Sequence, residues 1–576
     1  MIASCSWEPL ARAASSARMA PQDWRIGSAT DLPHVLRARN TLMSTATHAA
    51  RGTGDATSNG NSEGLSVIPN VANLLWKTAL ARAGHPAVIE DGGAAVTDYA
   101  TLQHRAAAIA SALTRSGLHA HDRVGIFLEG RADAVAAFFG VAAAGGIAVV
   151  INESLRPRQV EHTLEASGAT ILISSDDLLS RQPRRLETHA RVLIARELIA
   201  VPAPSFTPVA RLGMDPAQIV FTSGSTGLPK GVTVTHANLL AAAETVIGYL
   251  GITAADRVAS VLPFSFVYGM SQVLCAVGSG AALVLERSPL ASQLVAALRA
   301  QQVTVLAAVP PLWQQLLNVP SFRDEPLASL RIVTNAGGHL PVPVVRALRK
   351  AQPQARLFLM YGLTEVLRST FLPPEEVDRR PDSMGRAIPG AEVLVLRDDL
   401  SPCEPGEAGE LVHRGPTVAL GYWNDPEETA RVFRPNPARA PGAPDTERVV
   451  FSGDLVRRDA EGWLYFVGRS QRMIKTLGYR ISPDEIATVL YASGEVAECI
   501  ITSEPDEARG ERIVAFVVLA GGGGGSLERL RLYVGVELPR HMQPARYEVR
   551  DALPRLPSGK HDIAALRGEQ RQGAWT

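Results

Sequence analysis

Ile219-Val-Phe-Thr-Ser-Gly-Ser-Thr-Gly-Leu-Pro-Lys-Gly-Val-Thr-Val-Thr-His236 decides how the rest of the chain is read. A short β-type run, 218–221, feeds a loop of Thr222, Ser223, Gly224, Ser225, Thr226 and Gly227. Lys230 and Gly231 follow, and then a second β-type run, 232–234. The loop offers unblocked backbone N–H groups, hydroxyl donors and one cation, the parts that hold a polyphosphate. A Walker A loop needs its lysine directly after the last glycine and a helix directly after that. Here Leu228 and Pro229 intervene and a strand follows, so a phosphate-holding loop between two strands is expected.

At 576 residues the chain exceeds one compact core, which predicts two or more domains. Lys+Arg and Asp+Glu both total 57, so the long-range attraction of a nucleic-acid binder is missing. Cys5, Cys275, Cys403 and Cys499 fit no metal-ligand spacing and read as reduced thiols, which predicts a cytoplasmic protein. The uncharged run 134–151 is broken by Gly145-Gly146, predicting helix, turn and buried strand instead of a membrane span. Residues 1–65 are rich in Ala, Ser, Thr and Arg without periodicity and are expected to be a disordered extension.

From about residue 67 helices and strands alternate. Helices are expected at 70–83, 99–116, 158–166, 237–250 (with Thr235 as N-cap), 271–276, 290–300 and 311–317. The β-branched runs between them imply an α/β fold of helix-covered, mostly parallel sheets. Beyond about Gly390, short strands and Pro/Gly turns predict a small β subdomain. An α+β domain is expected from 472 to 576, so the division reads 66–468, hinge 469–471, 472–576.

Further motifs fall at strand ends, where open α/β sheets bind ligands. Thr334-Asn-Ala-Gly-Gly-His-Leu-Pro341 offers Gly337, Gly338 and His339 to a flat ring. In Tyr361-Gly-Leu-Thr-Glu365, Gly362 turns the chain and Thr364 and Glu365 present a hydroxyl and a carboxylate, suited to Mg²⁺ against phosphate. Asp454 ends Phe451-Ser-Gly-Asp454 and could accept ribose hydroxyls, with Arg469 as an oxygen partner. Leu553-Pro-Arg-Leu-Pro-Ser-Gly-Lys560 places a lysine after a tight turn.

Taken in order, these stretches resemble the adenylate-forming superfamily of acyl-CoA synthetases, peptide-synthetase adenylation domains and firefly-type luciferases, over about residues 66–570. The resemblance implies a large N-terminal domain with ATP and acid sites and a small, mobile C-terminal domain. It implies ATP, Mg²⁺ and coenzyme A (or phosphopantetheine) as cofactors, a small carboxylic acid as substrate, and an acyl carrier protein as an alternative partner. By resemblance, Thr222 to Lys230 hold the β- and γ-phosphates, and Thr364 and Glu365 serve the α-phosphate and the metal. Gly337, Gly338, His339, Tyr361 and Gly362 line the adenine site, Asp454 and Arg469 grip the ribose, and Lys560 bridges the acid and the α-phosphate. Phe266, Val267 and Gly269 line the acid pocket, and Gly478 borders a thiol tunnel.

Amino-acid-activating relatives carry an aspartate where this chain has Val267. Burying an ammonium without a counter-charge is costly, so an acyl or aryl acid is expected. Pro263-Phe-Ser-Phe266 and Leu367-Arg-Ser-Thr370 are similar to AMP-forming ligases found beside exosortase systems. Gln471 replaces the usual charged hinge residue, and His561-Asp562-Ile563 follows Lys560 where Val-Asp-Arg is usual. Loading of a carrier protein, activation of an amino acid, luciferase-type oxygenation and a decayed nucleotide-binding protein remain as alternatives. Retention of Lys230, Glu365, Asp454 and Lys560 opposes the last.

Overall fold

The computed structural model describes residues 69–201, 205–222, 229–286, 288, 290–469, 474–476, 479–506, 510–521, 525–538, 540, 542–556 and 560–566. The expected extension 1–65, loop residues Ser223, Gly224, Ser225, Thr226 and Gly227, the hinge positions 470 and 471, and Gly478 lie outside them.

Among the described residues, one seven-stranded sheet runs from Gly421–Tyr422 through Lys230–Thr235, Pro216–Thr222, Ile147–Val150, Arg123–Phe127 and Ile171–Ser174 to Arg191–Ile194. The strands from Ile147–Val150 onward pair in parallel. The expected strand–loop–strand device is there: Pro216–Thr222 and Lys230–Thr235 pair antiparallel, with Thr222 opposite Lys230. Thr235 caps the helix His236–Leu250 as expected, its hydroxyl accepting from Asn238 N at 3.0 Å while Asn238 Oδ1 accepts from Thr235 N at 3.0 Å.

A second sheet holds the parallel strands Ala282–Leu285, Arg257–Ser260, Val305–Ala308, Ile332–Asn335 and Arg356–Tyr361 in its middle. From Thr370–Leu372 onward the same sheet turns antiparallel. The β subdomain expected beyond Gly390 is its continuation: Ser383–Ala387 pairs with Thr370–Leu372 on one side and Leu464–Arg469 on the other. One strand long enough to serve two partners joins what composition alone divides.

The core lies between the sheets. One apolar cluster draws on Val124 and Ile126 from the first sheet, Val258, Leu283 and Val305 from the second, and on the helices Ala132–Ala144 and Val267–Ser279 between them. Ala132–Ala144 is buried on nearly every side, which explains its uncharged sequence. Gly145, at φ +85°, ends it in the left-handed conformation and turns the chain into Ile147–Val150. Among the described residues no helix is long and apolar enough to cross a membrane. A separate cluster built on Ile486, Ile513 and Val534 packs the C-terminal strands Val496–Asp506 and Gly510–Leu519 against the helices Pro483–Ala492 and Leu527–Glu537.

Candidate active site

Strand ends of both sheets meet at one rim. Lys230 Nζ lies 3.2 Å from Glu428 Oε1 and 3.5 Å from Asp425 Oδ2. Both acids belong to the segment after Gly421–Tyr422, a strand that pairs with Lys230–Thr235. Asp425 caps the helix Pro426–Val432 by accepting from Glu428 N at 3.0 Å. Arg431, with help from Lys230, holds the Glu428 carboxyl down to about 2. Lys230 is therefore anchored by acids, a role its place beside the glycine loop does not show. Sequence reading missed Tyr422, Asp425 and Glu428. The signal available was a helix-capping Asp-Pro-Glu-Glu run (425–428) next to a strand.

Tyr422 links two parts of the site. Its hydroxyl donates to Glu365 Oε1 at 2.5 Å, and Lys230 Nζ lies 5.9 Å from the centre of its ring. Glu365 and Thr364 sit in a short 3₁₀ turn, Thr364–Val366, just past the strand Arg356–Tyr361. The chain then reverses tightly. Leu367 adopts φ +53°, ψ −60°, a strained conformation for a side-chain-bearing residue, and Ser369 N donates to Tyr361 O at 3.1 Å. A Cβ on Gly362 would stand 2.8 Å from Leu367 O, so the reversal needs glycine there.

Tyr361 and Asp454 meet on the other flank. The Tyr361 hydroxyl donates to Asp454 Oδ2 at 2.5 Å, and its ring stacks on His413 with centres 5.9 Å apart. Asp454 stands opposite Arg469 in the paired strands Arg448–Arg458 and Leu464–Arg469, with Arg469 Nε 2.7 Å from Asp454 Oδ1. That contact is an ion pair without hydrogen-bond alignment, so Oδ1 is held by charge and would take another donor only as Arg469 moves. Burial and the neighbouring Asp454 charge push the Tyr361 phenol well above its usual range. Burial opposes the Arg469 charge, but Asp454, Tyr361 and Glu365 together hold its pKa above the ordinary value.

Gly337, Gly338 and His339 are exposed at the end of Ile332–Asn335, as the motif predicts. Gly337 takes φ +80°, and a Cβ there or on Gly338 would come within 3.2 Å of Val309 or Pro310. This bare cradle fits a flat ring. Asp454 Oδ1, lacking an aligned hydrogen bond, fits a ribose hydroxyl in place of Arg469, and Glu365, whose bond to Tyr422 uses one oxygen, fits Mg²⁺ bound mainly by phosphate and water.

Around the expected acid pocket the helix is longer than the sequence suggests. It spans Val267–Ser279, with Phe266 as its extended N-cap, so Val267 and Gly269 form its first turn. Gly269 is a packing position: its Cβ would stand 2.0 Å from Pro263 O. Lys560 is exposed beside the bridge between Arg555 and His561, and its carbonyl accepts from Leu556 N at 2.7 Å.

With this geometry in hand, likeness to known proteins becomes informative. The AMP-binding enzyme family matches residues 75–423, and the AMP-binding enzyme C-terminal domain matches residues 485–560. A feruloyl-CoA synthase from Amycolatopsis sp is 30% identical over 507 residues, 86% of this chain and 98% of that protein. A linear gramicidin synthase from Brevibacillus parabrevis is 32% identical over 472 residues, 81% of this chain, which spans only 9% of that protein's length. The o-succinylbenzoate CoA synthetase MenE from Bacillus subtilis, solved with the acyl-adenylate OSB-AMP, superposes with a TM-score of 0.75 at 27% identity, covering 86% of this chain and 97% of MenE. These matches bear out the resemblance and the α/β architecture read from the motifs, and the chain belongs to the AMP-binding enzyme family, within the adenylate-forming superfamily.

Proposed function

We propose that the protein is an AMP-forming acid–thiol ligase, joining a carboxylic acid to AMP and then to the thiol of coenzyme A. The observation that supports this reading is the Tyr422 bridge: its hydroxyl donates to Glu365 while Lys230 Nζ lies over its ring, so the hairpin pairing Thr222 with Lys230 and the Thr364–Glu365 turn share one side chain. In the first step an oxygen of the acid attacks the α-phosphorus, the bond to the bridging β-oxygen breaks, and pyrophosphate leaves. In the second, the thiol sulfur attacks the acyl carbon, AMP leaves with the bonding pair, and the thiol proton passes to solvent.

The obstacle is the meeting of two anions, and preorganised donors and cations answer it. In this reading Thr222 and the loop through Gly227 cradle phosphate oxygens, with Lys230 fastening the loop's far end to Glu428. Thr364 and Glu365 face the α-phosphate. Bound Mg²⁺ would neutralise phosphate charge beside Glu365. Gly337, Gly338 and His339 border the adenine, and Asp454 takes the ribose hydroxyls once Arg469 makes room. Lys560 on the C-terminal domain supplies a late positive charge, and Gly478 borders the thiol path. An acyl or aryl acid is favoured over an amino acid because Val267 offers no counter-charge to an ammonium. Cys275, Cys403 and Cys499 are buried and unpaired, which supports a cytoplasmic location.

The test is AMP release from ATP across fatty, aryl and amino acids, with coenzyme A or a phosphopantetheine-bearing carrier protein as acceptor. Coenzyme A-dependent release with a fatty or aryl acid is the expected result. Release with the carrier protein alone would move the acceptor, and release with amino acids alone would overturn the substrate class.

A further inference from the structure

Arg368, three residues beyond Glu365, is only 4% exposed and has no counter-charge among the described residues. Its Nη1 donates to the carbonyl of its own neighbour, Leu367, at 3.1 Å, while Nε and Nη2 have no hydrogen-bond partner there. The guanidinium carbon stands 4.8 Å from the centre of the Tyr268 ring. The ionisable groups that feel its charge are Tyr249, Tyr268 and Cys275. Burial raises all three above their usual values, Cys275 to about 11, so none is an anion at neutral pH. Tyr268 donates to Thr334 O at 2.8 Å and Tyr249 to Met360 Sδ at 3.0 Å, which leaves the Tyr249 oxygen as a neutral acceptor facing the guanidinium and no anion beside it among the described residues. A buried cation whose partners are all neutral is unfavourable, and such costs persist where a site needs the group.

Arg368 borders a cavity whose other walls include Val267, Met270 and Leu274, with Gln218 and Ser271 as its polar members. Gln218 lies on the strand that leads to Thr222, Val267 opens the acid-pocket helix, and Leu367-Arg368 directly follows the Thr364-Glu365 turn. The cavity therefore backs onto the reaction site. Its free volume is about 20 Å³, above the roughly 10–15 Å³ that one water needs and small for a ring. The two unpaired nitrogens, Nε and Nη2, lie on one edge of the guanidinium with parallel N–H bonds, the edge that meets both oxygens of a carboxylate.

We infer that Arg368 receives a second carboxylate at the far end of the acid, so that the substrate is a short dicarboxylic acid. This rests on the acid-activating reading above and narrows it. One carboxylate goes to ATP, and the other pairs with Arg368 in the closed end of the pocket. The distance between them sets the chain length.

The test compares dicarboxylic acids of three to eight carbons with the monocarboxylic acids of equal length, by acid-dependent exchange of pyrophosphate into ATP. At the best length the wild type should prefer the diacid by on the order of 10⁴ in kcat/KM, as expected when a site built to bind a polar group meets an analogue lacking it. Arg368→Gln should bring that ratio to within about threefold, chiefly through KM for the diacid, and Arg368→Lys should restore part of it. Equal use of both acids by the wild type, or equal loss of both in Arg368→Gln, would overturn the inference.

Stability gives a separate readout. Arg368→Met removes an uncompensated charge at similar volume and should raise the melting temperature of the free protein. A fall would mark the arginine as structural and count against the inference. Melting with diacid alone distinguishes the two readings. If no acid supports exchange but the diacid stabilises wild type and not Arg368→Gln, the ligase reading fails and the anion site stands. If monoacids exchange well and diacids neither bind nor react, the ligase reading stands and the anion site fails.

Discussion

The Tyr361 hydroxyl donates to Asp454 Oδ2 at 2.5 Å, across 93 residues of sequence. The bond ties the strand that leads to Thr364 and Glu365 to the antiparallel arm that carries Arg469. Asp454→Asn would leave the Arg469 guanidinium without its carboxylate and weaken the proposed ribose grip. A 10–100-fold loss of ATP affinity is expected, about 1.4–2.8 kcal/mol. Calorimetric titration with ATP measures it. Tyr361→Phe keeps the stack on His413 but strands a buried carboxylate oxygen, so a loss of about 1.5–3 kcal/mol in stability is expected. An Asp454→Asn protein that binds ATP like wild type would remove Asp454 from the nucleotide site.

Acid sensitivity should begin with two buried histidines. Burial pulls His236 down to about 4 and His413 to about 3. His236 Nδ1 accepts from Val71 N at 3.1 Å, and His413 Nδ1 meets the Ser369 hydroxyl, so neither site welcomes a second proton. Between the unfolded value near 6.5 and these folded values the unfolded chain binds more protons, so stability rises with pH in that window. It is fully present above about pH 7 and is lost as pH falls toward 4 and 3, by at most on the order of 3 kcal/mol for His236 and 5 kcal/mol for His413. Melting temperatures should hold between pH 8 and 7 and fall from pH 7 to 5, and His413→Gln should flatten that slope. A flat wild-type profile would contradict this assignment.

Gly269 answers to packing. Because a Cβ there would meet the Pro263 carbonyl at 2.0 Å, Gly269→Ala must push the first turn of the helix away from the 262–266 turn. A stability loss of about 1–3 kcal/mol is expected, with a raised KM for the acid as Phe266 and Val267 move with that turn. Thermal melting and acid titration measure the two effects. Unchanged values in both would show that the helix start yields freely.

Lys560→Ala should slow adenylation by on the order of 10²–10³, the effect of losing one charge-stabilising donor. Transfer from preformed acyl-adenylate to the thiol should change much less. Single-turnover assays of the two half-reactions separate these outcomes, and equal loss in both would remove Lys560 from the first step.

The motifs showed which strand ends matter, because the same turns that expose backbone and hydroxyls also interrupt apolar periodicity. The hairpin pairing Thr222 with Lys230, the Thr235 cap and the strand before Tyr361 were all legible on that ground. Tyr422 and Glu428 were not, because their meaning comes from pairing with a strand nearly two hundred positions earlier. Arg368 was quoted within a motif, but its lack of a carboxylate partner among the described residues is a property of packing. The joining of the β subdomain to the large sheet depends on Ser383–Ala387 serving two partners, and local patterning carries no sign of that.

Pyrophosphate exchange into ATP tests the central claim most directly, because it reports the first half-reaction without a thiol. With a matching carboxylic acid and Mg²⁺, exchange should appear, depend on the acid and fall sharply in Glu365→Gln. Exchange absent with every acid tried, in protein shown to bind ATP, would contradict the account.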